Sequence, residues 1–176
     1  MASCCRFCVS PNTITLQDDH GRSYVVSSLN NADVELSIGS DLDYLDMVQE
    51  ISDKISQLSG FEDDAIYWIG LSVREAVTNA IQHGNQNDKN KKVFLRFKIT
   101  ADRLLIAVRD QGKGIEETEI PDPLDPKNLL KPGGRGIFFI RSFMDNVRFS
   151  NCPEGGSELV MEKLQNQEHQ GEENDN

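Results

Sequence analysis

Glu75, Asn79 and His83 stand four residues apart, the spacing at which a helix stacks side chains on one face. Between them lie Ala76, Val77, Ala80 and Ile81, which would turn toward a core. A carboxylate, a carboxamide and an imidazole aligned on an otherwise apolar helix read as a site; the plainer alternative is that they cap or bridge within the core. Two further segments add ligand chemistry. In Asp110-Gln111-Gly112-Lys113-Gly114 an acidic side chain leaving a sheet edge can accept a hydrogen bond from a ligand amino group. Its two glycines let a flat ring or a phosphate approach the backbone, although such a segment alone is also an ordinary turn. Gly133-Gly134-Arg135-Gly136 precedes a helical pattern, and a glycine-rich turn opening a helix offers N–H groups and the positive end of the dipole to an anion. Arg135 can add a bidentate phosphate contact; the alternative is a lid hinge. The segment is not a P-loop, since no Gly-Lys-Ser/Thr follows a strand. Nor is it a dinucleotide fingerprint, since no parallel βαβ unit surrounds it.

Periodicity outlines the elements that must position these groups. Val34, Leu36 and Ile38 alternate as in a half-buried strand. Asp41 is placed to N-cap an amphipathic helix with apolar residues at 42, 45, 48, 51, 55 and 58 that stops near Gly60. A second helix opens on Glu62-Asp63-Asp64, charges that suit a helix N-terminus, and runs to Gly84 with Trp68, Ile69, Val73, Val77 and Ile81 as its packing surface. Asn85 to Lys92 reads as a polar loop, and Val93–Ile99 and Leu104–Arg109 as strands. Residues 115–134 contain Pro121, Pro123, Pro126 and Pro132 and cannot be regular throughout; a segment of that length usually forms a lid or binding loop. Ile137, Phe138, Ile140, Phe143 and Met144 pattern a short helix, and Val147–Asn151 with Glu158–Leu164 a hairpin. This order predicts an α+β two-layer sandwich, a mixed, mostly antiparallel sheet with helices on one face. A doubly wound sheet would need a helical crossover between strands 93–99 and 104–109, and none fits.

The chain has 176 residues, enough for one domain with tails. Residues 1–32 read as a flexible N-terminal extension with a weak hairpin at Thr13–Leu16 and Tyr24–Val26. Residues 33–164 form the domain, and residues 165–176 are expected to be a disordered acidic tail. A net charge of −11 argues against direct nucleic-acid binding and suits a basic protein partner or simple solubility. No apolar run approaches the roughly 20 residues that span a bilayer, and the N-terminus lacks a signal h-region, so a cytoplasmic protein without membrane contact is expected. Cys4, Cys5 and Cys8 crowd together while Cys152 stands alone; without zinc-ligand spacing they read as free thiols.

In this order and spacing the three segments resemble the N, G1 and G2 boxes of the GHKL (histidine kinase-like) ATPases. The resemblance is nearest to the bacterial anti-sigma factors that double as serine-protein kinases. Glu75-Ala-Val-Thr-Asn79-Ala-Ile-Gln-His83-Gly84 resembles their N box, Arg109-Asp110-Gln-Gly112-Lys-Gly114-Ile115 their G1 box, and Gly134-Arg-Gly136 through Phe143-Met144-Asp145 their G2 box. The resemblance covers about residues 33–164 and implies their Bergerat fold. It implies that Asn79 holds a Mg²⁺ bridging the phosphates of ATP and that Glu75 is the base for an attacking serine hydroxyl. Asp110 would accept from the adenine amino group in a pocket shaped by Gly112 and Gly114. Gly134, Arg135 and Gly136 would meet the phosphates, with Lys131 reaching them from the lid. His83 would either contact a phosphate or end the helix. The implied partners are an anti-anti-sigma (STAS) protein carrying the serine and a sigma factor held by sequestration, with the chain itself a homodimer. A nucleotide-dependent binding module without phosphotransfer is the alternative. The catalytic half of a sensor histidine kinase fits poorly, since only His20 lies upstream of the N box. Two features depart from the family pattern: Arg135 stands where many members carry an apolar residue, and the N-terminal extension has no counterpart in compact members.

Overall fold

The structure, a computed structural model, describes residues 13–17, 23–27, 33–114 and 135–165. The hairpin expected near the N-terminus is present as β1 (Thr13–Gln17) and β2 (Ser23–Ser27), an antiparallel pair in a sheet of their own. The main sheet is built from β3 (Asp33–Gly39), β4 (Lys92–Ile99), β5 (Arg103–Arg109), β6 (Asn146–Asn151) and β7 (Ser157–Leu164). Its spatial order is β3-β4-β5-β7-β6, and every described pairing in it is antiparallel. Side-chain alternation decides which face is covered. On β4, Val93, Leu95, Phe97 and Ile99 are buried while Lys92, Phe94, Arg96 and Lys98 are exposed; on β5, Leu104, Ile106 and Val108 are buried. Period-two burial means a single covered face, and the helices α1 (Leu45–Leu58), α2 (Asp63–Asn79) and α3 (Arg135–Phe143) supply the cover. The two-layer α+β arrangement is therefore as predicted.

Local details differ from the periodic reading. Asp41 does cap, its Oδ1 accepting from the Asp43 N–H at 3.3 Å, but the element it caps is a 3₁₀ turn, Leu42–Tyr44, ahead of α1. That turn rotates Leu42 off the apolar stripe and leaves it 39% exposed. Gly60, at φ +85°, follows the end of α1. The second helix does reach Gly84, but its last turn, Ala80–Gly84, is a π turn closed by the Asn85 N–H onto the Ala80 carbonyl at 2.7 Å. π turns inside helices are frequent at functional sites. The proline-rich segment 115–134 and the tail beyond 165 lie outside the described residues.

The site-bearing helix α2 packs on α1 through a close approach at Gly70. A methyl group there would sit 3.2 Å from the Asp53 carboxyl carbon, and closer still to its oxygen. Asp53 Oδ1 is buried without a hydrogen-bond partner, and burial, aided by the nearby Glu50 charge, raises the Asp53 pKa above its ordinary 3.8. A raised carboxylate pKa means that folding favours the neutral form. The group's stabilising contribution is present below the ordinary value and is lost as pH rises through the folded-state value. Asp53→Asn is therefore expected to raise the unfolding midpoint at pH 7, with the gain shrinking as pH falls through the raised folded-state value and gone below the ordinary 3.8. Thermal unfolding of both proteins across that range checks this; a gain independent of pH would contradict it.

Candidate active site

β5 ends at Arg109, and the pleat sends the next side chain, Asp110, to the buried side with 6% exposure. Its Oδ1 accepts from the Gly112 N–H at 2.7 Å and from the Ser157 N–H at 3.1 Å, while its own N–H donates to the Ser157 carbonyl at 3.0 Å. Two amides from different segments thus fix the carboxylate through charge-assisted bonds. The described hydrogen bonds leave Oδ2 turned toward Gly84. A methyl group at Gly84 would lie 2.8 Å from Asp110 Cβ and overlap the carboxylate; one at Gly112 would lie 2.8 Å from the Gly84 carbonyl carbon. At both positions glycine is required because backbone packs directly on neighbouring atoms. Gly114, at φ +92°, lies beside Asn151 at the end of β6. Arg109 belongs to the other face of the sheet: its guanidinium donates to Glu154 at 3.3 Å, a bond that raises its pKa.

Glu75 and Asn79 lie one turn apart on α2, both half-buried. Across from them runs α3. Trp68 of α2 stacks on Phe143 of α3 with ring centroids 3.8 Å apart and planes 4° from parallel, a contact worth about 0.5–1.5 kcal/mol beyond its area. Seven residues on from Trp68 is Glu75, and seven back from Phe143 is Gly136. A methyl group at Gly136 would fall 2.7 Å from the Glu75 carboxyl carbon. Two contacts two turns apart on each helix, in opposite chain directions, define an antiparallel pair. That register delivers the N-terminal end of α3 to the Glu75 carboxylate. The segments around residues 75 and 136 therefore meet, as do those around residues 84 and 110–112, with α2 and its π turn as the rod between them.

His83 sits in the π turn and is exposed; the extra residue in that turn offsets it from the stripe that Glu75 and Asn79 share. Asn79 Nδ2 is buried and has no hydrogen-bond partner, unusual for a buried amide. A half-turn of the carboxamide exchanges its nitrogen for its oxygen, so this position can present an oxygen to a cation or an N–H to an anion. Carboxamide and carboxylate oxygens suit a hard cation such as Mg²⁺, which takes few protein ligands and draws the rest from phosphates and water. The residues present fit that ion. Among the described residues no group of three or more His, Cys, Asp or Glu side chains could hold a metal by itself.

Lys131 and Gly134 lie outside the described residues, and Arg135 is described only as the first backbone position of α3. Three contributors were missed in the sequence: the Ser157 amide, Gly156, whose backbone packs on that of Asp110, and Asn85. The first begins β7 and the second ends the hairpin turn before it, with no sequence mark of either role. Asn85, read as part of a polar loop, is fully buried. Its Oδ1 accepts from the Gln111 N–H at 2.8 Å and its Nδ2 donates to the Lys92 carbonyl at 3.0 Å.

A fold with this helix-borne carboxylate and carboxamide, flanked by two glycine segments, is that of the histidine kinase-like ATPase domain, whose family model matches residues 38–163. The chain belongs to that family. Among similar proteins is the serine-protein kinase RsbW of Bacillus subtilis (strain 168), 31% identical over 146 residues that span 79% of this chain and 90% of the relative. The serine-protein kinase RsbW of Bacillus velezensis is 30% identical over 77% of this chain and 87% of the relative. The anti-sigma F factor of Oceanobacillus iheyensis is 37% identical over 57% of this chain and 70% of the relative. No helix of the described residues is long and apolar enough to cross a membrane.

The contact between Gly84 and Asp110 yields a direct test. Gly84→Ala is expected to destabilise the fold by about 1–3 kcal/mol, the usual cost of overpacking, read as a lower denaturant midpoint. An unchanged midpoint would show that the Asp110 carboxylate does not lie against Gly84.

Proposed function

We propose that this protein is an ATP-dependent serine-protein kinase of the anti-sigma type. It would transfer the γ-phosphoryl group of ATP to a serine of an anti-anti-sigma (STAS) protein and hold a sigma factor by sequestration. The observation that carries this reading is the meeting of Glu75 with the N-terminal end of α3, one helical turn along α2 from Asn79. Phosphoryl transfer asks little covalent chemistry of a protein. It needs positioning, charge neutralisation and an oriented nucleophile.

Each group has a task. Asp110, locked by two amides, keeps Oδ2 for the amino group of adenine, and Gly112 and Gly114 let the ring approach. Arg135 and Gly136, at the start of α3, would meet the phosphates, and Gly134 and Lys131, outside the described residues, are proposed to join them. Asn79 would hold Mg²⁺, which when bound neutralises phosphate charge. Glu75 takes the proton of the serine hydroxyl as the serine oxygen bonds to the γ-phosphorus; the bond from that phosphorus to its bridging oxygen breaks, and ADP leaves. His83, exposed at the end of the helix, would meet a phosphate only at the rim of the site. Relatives named as serine-protein kinases and as anti-sigma factors support both halves of the function. Those names point to protein partners; a cytoplasmic location and a homodimer belong to the proposal.

Purified chain with Mg²⁺ and radiolabelled ATP is expected to phosphorylate a serine in at least one member of a panel of STAS proteins. Glu75→Gln is expected to reduce that transfer by roughly 10²–10⁴-fold, the usual weight of a general base, while leaving ATP affinity within about threefold. Robust transfer by Glu75→Gln would remove Glu75 from the role of base. ATP binding without transfer to any STAS protein would leave a binding module. Asn79→Ala is expected to raise the Mg²⁺ concentration needed for half-maximal ATP binding; an unchanged Mg²⁺ dependence would place the ion elsewhere.

A further inference from the structure

We infer that Asn85 is a positioning residue for base recognition: its buried carboxamide sets the Asp110 carboxylate against the end of the N-box helix. This rests on the reading of Asp110 as the acceptor for the adenine amino group. The side chain has no exposure, and its orientation is unambiguous. Oδ1 faces the Gln111 N–H at 2.8 Å and Nδ2 faces the Lys92 carbonyl at 3.0 Å; a flipped amide would set donor against donor and acceptor against acceptor. The Gln111 Oε1 in turn accepts from the Lys92 N–H at 2.7 Å. Three segments are thereby tied into one ring of hydrogen bonds: the end of the π turn, the first residue of β4 and the loop after Asp110.

Two features make the ring more than loop packing. Gln111 immediately follows Asp110, so the bond that Asn85 accepts fixes the peptide on which the Asp110 side chain turns. Gly84 immediately precedes Asn85, and it is the residue whose Cα lies against the Asp110 carboxylate. Asn85 thus grips Asp110 from both sides, through its own side chain and through its neighbour in the chain. Its backbone N–H closes the π turn onto Ala80 at 2.7 Å, so the same residue joins the helix bearing Asn79 to the base pocket. Loss of the carboxamide removes the bond that holds the peptide between Asp110 and Gln111 on its Asn85 side, and a misplacement on the scale of an ångström weakens a directional hydrogen bond to a ligand far more than it weakens a diffuse contact.

The test is equilibrium binding of ATP and of inosine triphosphate, which carries a carbonyl where adenine carries its amino group, to the full chain in Mg²⁺. The wild type is expected to prefer ATP, because a site built around one ligand donor rejects the analogue that lacks it. Asn85→Ala is expected to lose about tenfold or more in ATP affinity with much less change for inosine triphosphate, so that the preference collapses. Asp88→Ala, which removes the carboxylate that accepts from the Asn90 N–H and Nδ2 in the same loop at 3.0 and 3.1 Å, is expected to keep it. Collapse in both variants would reduce Asn85 to general loop stability, and a full preference in folded Asn85→Ala would overturn the inference. Should Asn85→Ala not fold, amide hydrogen exchange in the wild type decides: strong protection of the Gln111 amide is expected, and an unprotected amide overturns the role. Failure of the wild type to bind ATP while its Gln111 amide stays protected would instead refute the kinase reading.

Discussion

A carboxylate taken out of water has to be held by donors, and the placement of Asp110 organises much of this domain. Its Oδ1 draws one amide from its own loop and one from the start of β7, so the centre of the sheet and the last hairpin are fixed to each other at that point. Room for the side chain exists only because Gly84 and Gly112 bring bare backbone against it. Gly84 is also the last residue of the π turn that continues α2. The position of the N-box helix over the sheet is therefore tied to the satisfaction of one buried acid.

The opposite end of the same helix is set by apolar packing. The Trp68–Phe143 stack and the fully buried Ile140 seat α3 against α2, and the antiparallel register brings Gly136 to Glu75. A carboxylate beside the N-terminal end of a helix is electrostatically favourable. The same place would receive a phosphate, so Glu75 and a bound anion would share one region of positive potential. The polar stripe that looked anomalous on a buried helix is thus the line along which two unlike contacts meet, one polar at Gly84 and one aromatic at Trp68.

Much of this is legible in the sequence. Strict alternation on β4 and β5 gave the covered face, and the three-and-four spacing on α1 and α2 gave the helices, because burial on one side forces those periods. The pairing of Glu75 with Asn79 followed from the same helical period. Other parts obey no period. Leu42 fits the apolar stripe of α1 on paper yet lies in a 3₁₀ turn, since that turn is what Asp41 caps and α1 begins only at Leu45. Phe138 fits the α3 pattern and is 47% exposed. The π turn leaves no trace in the spacing, and it moves His83 off the stripe. Asn85 is one polar residue in a polar loop, and its burial depends on two backbone groups, the Lys92 carbonyl at the far end of that loop and the Gln111 amide beyond the next two strands. Contacts made by backbone amides, such as that of Ser157, carry no side-chain signature at all.

The central claim is that the segments gathered by α2 form one ATP site with Asp110 at its base-reading end. Calorimetric titration of ATP in Mg²⁺ into the full chain, run beside Asp110→Ala, tests it most directly. The account predicts saturable one-site binding to the wild type and its loss in a variant that remains folded. Absence of saturable binding to the wild type, or equal affinity in the two proteins, would contradict it.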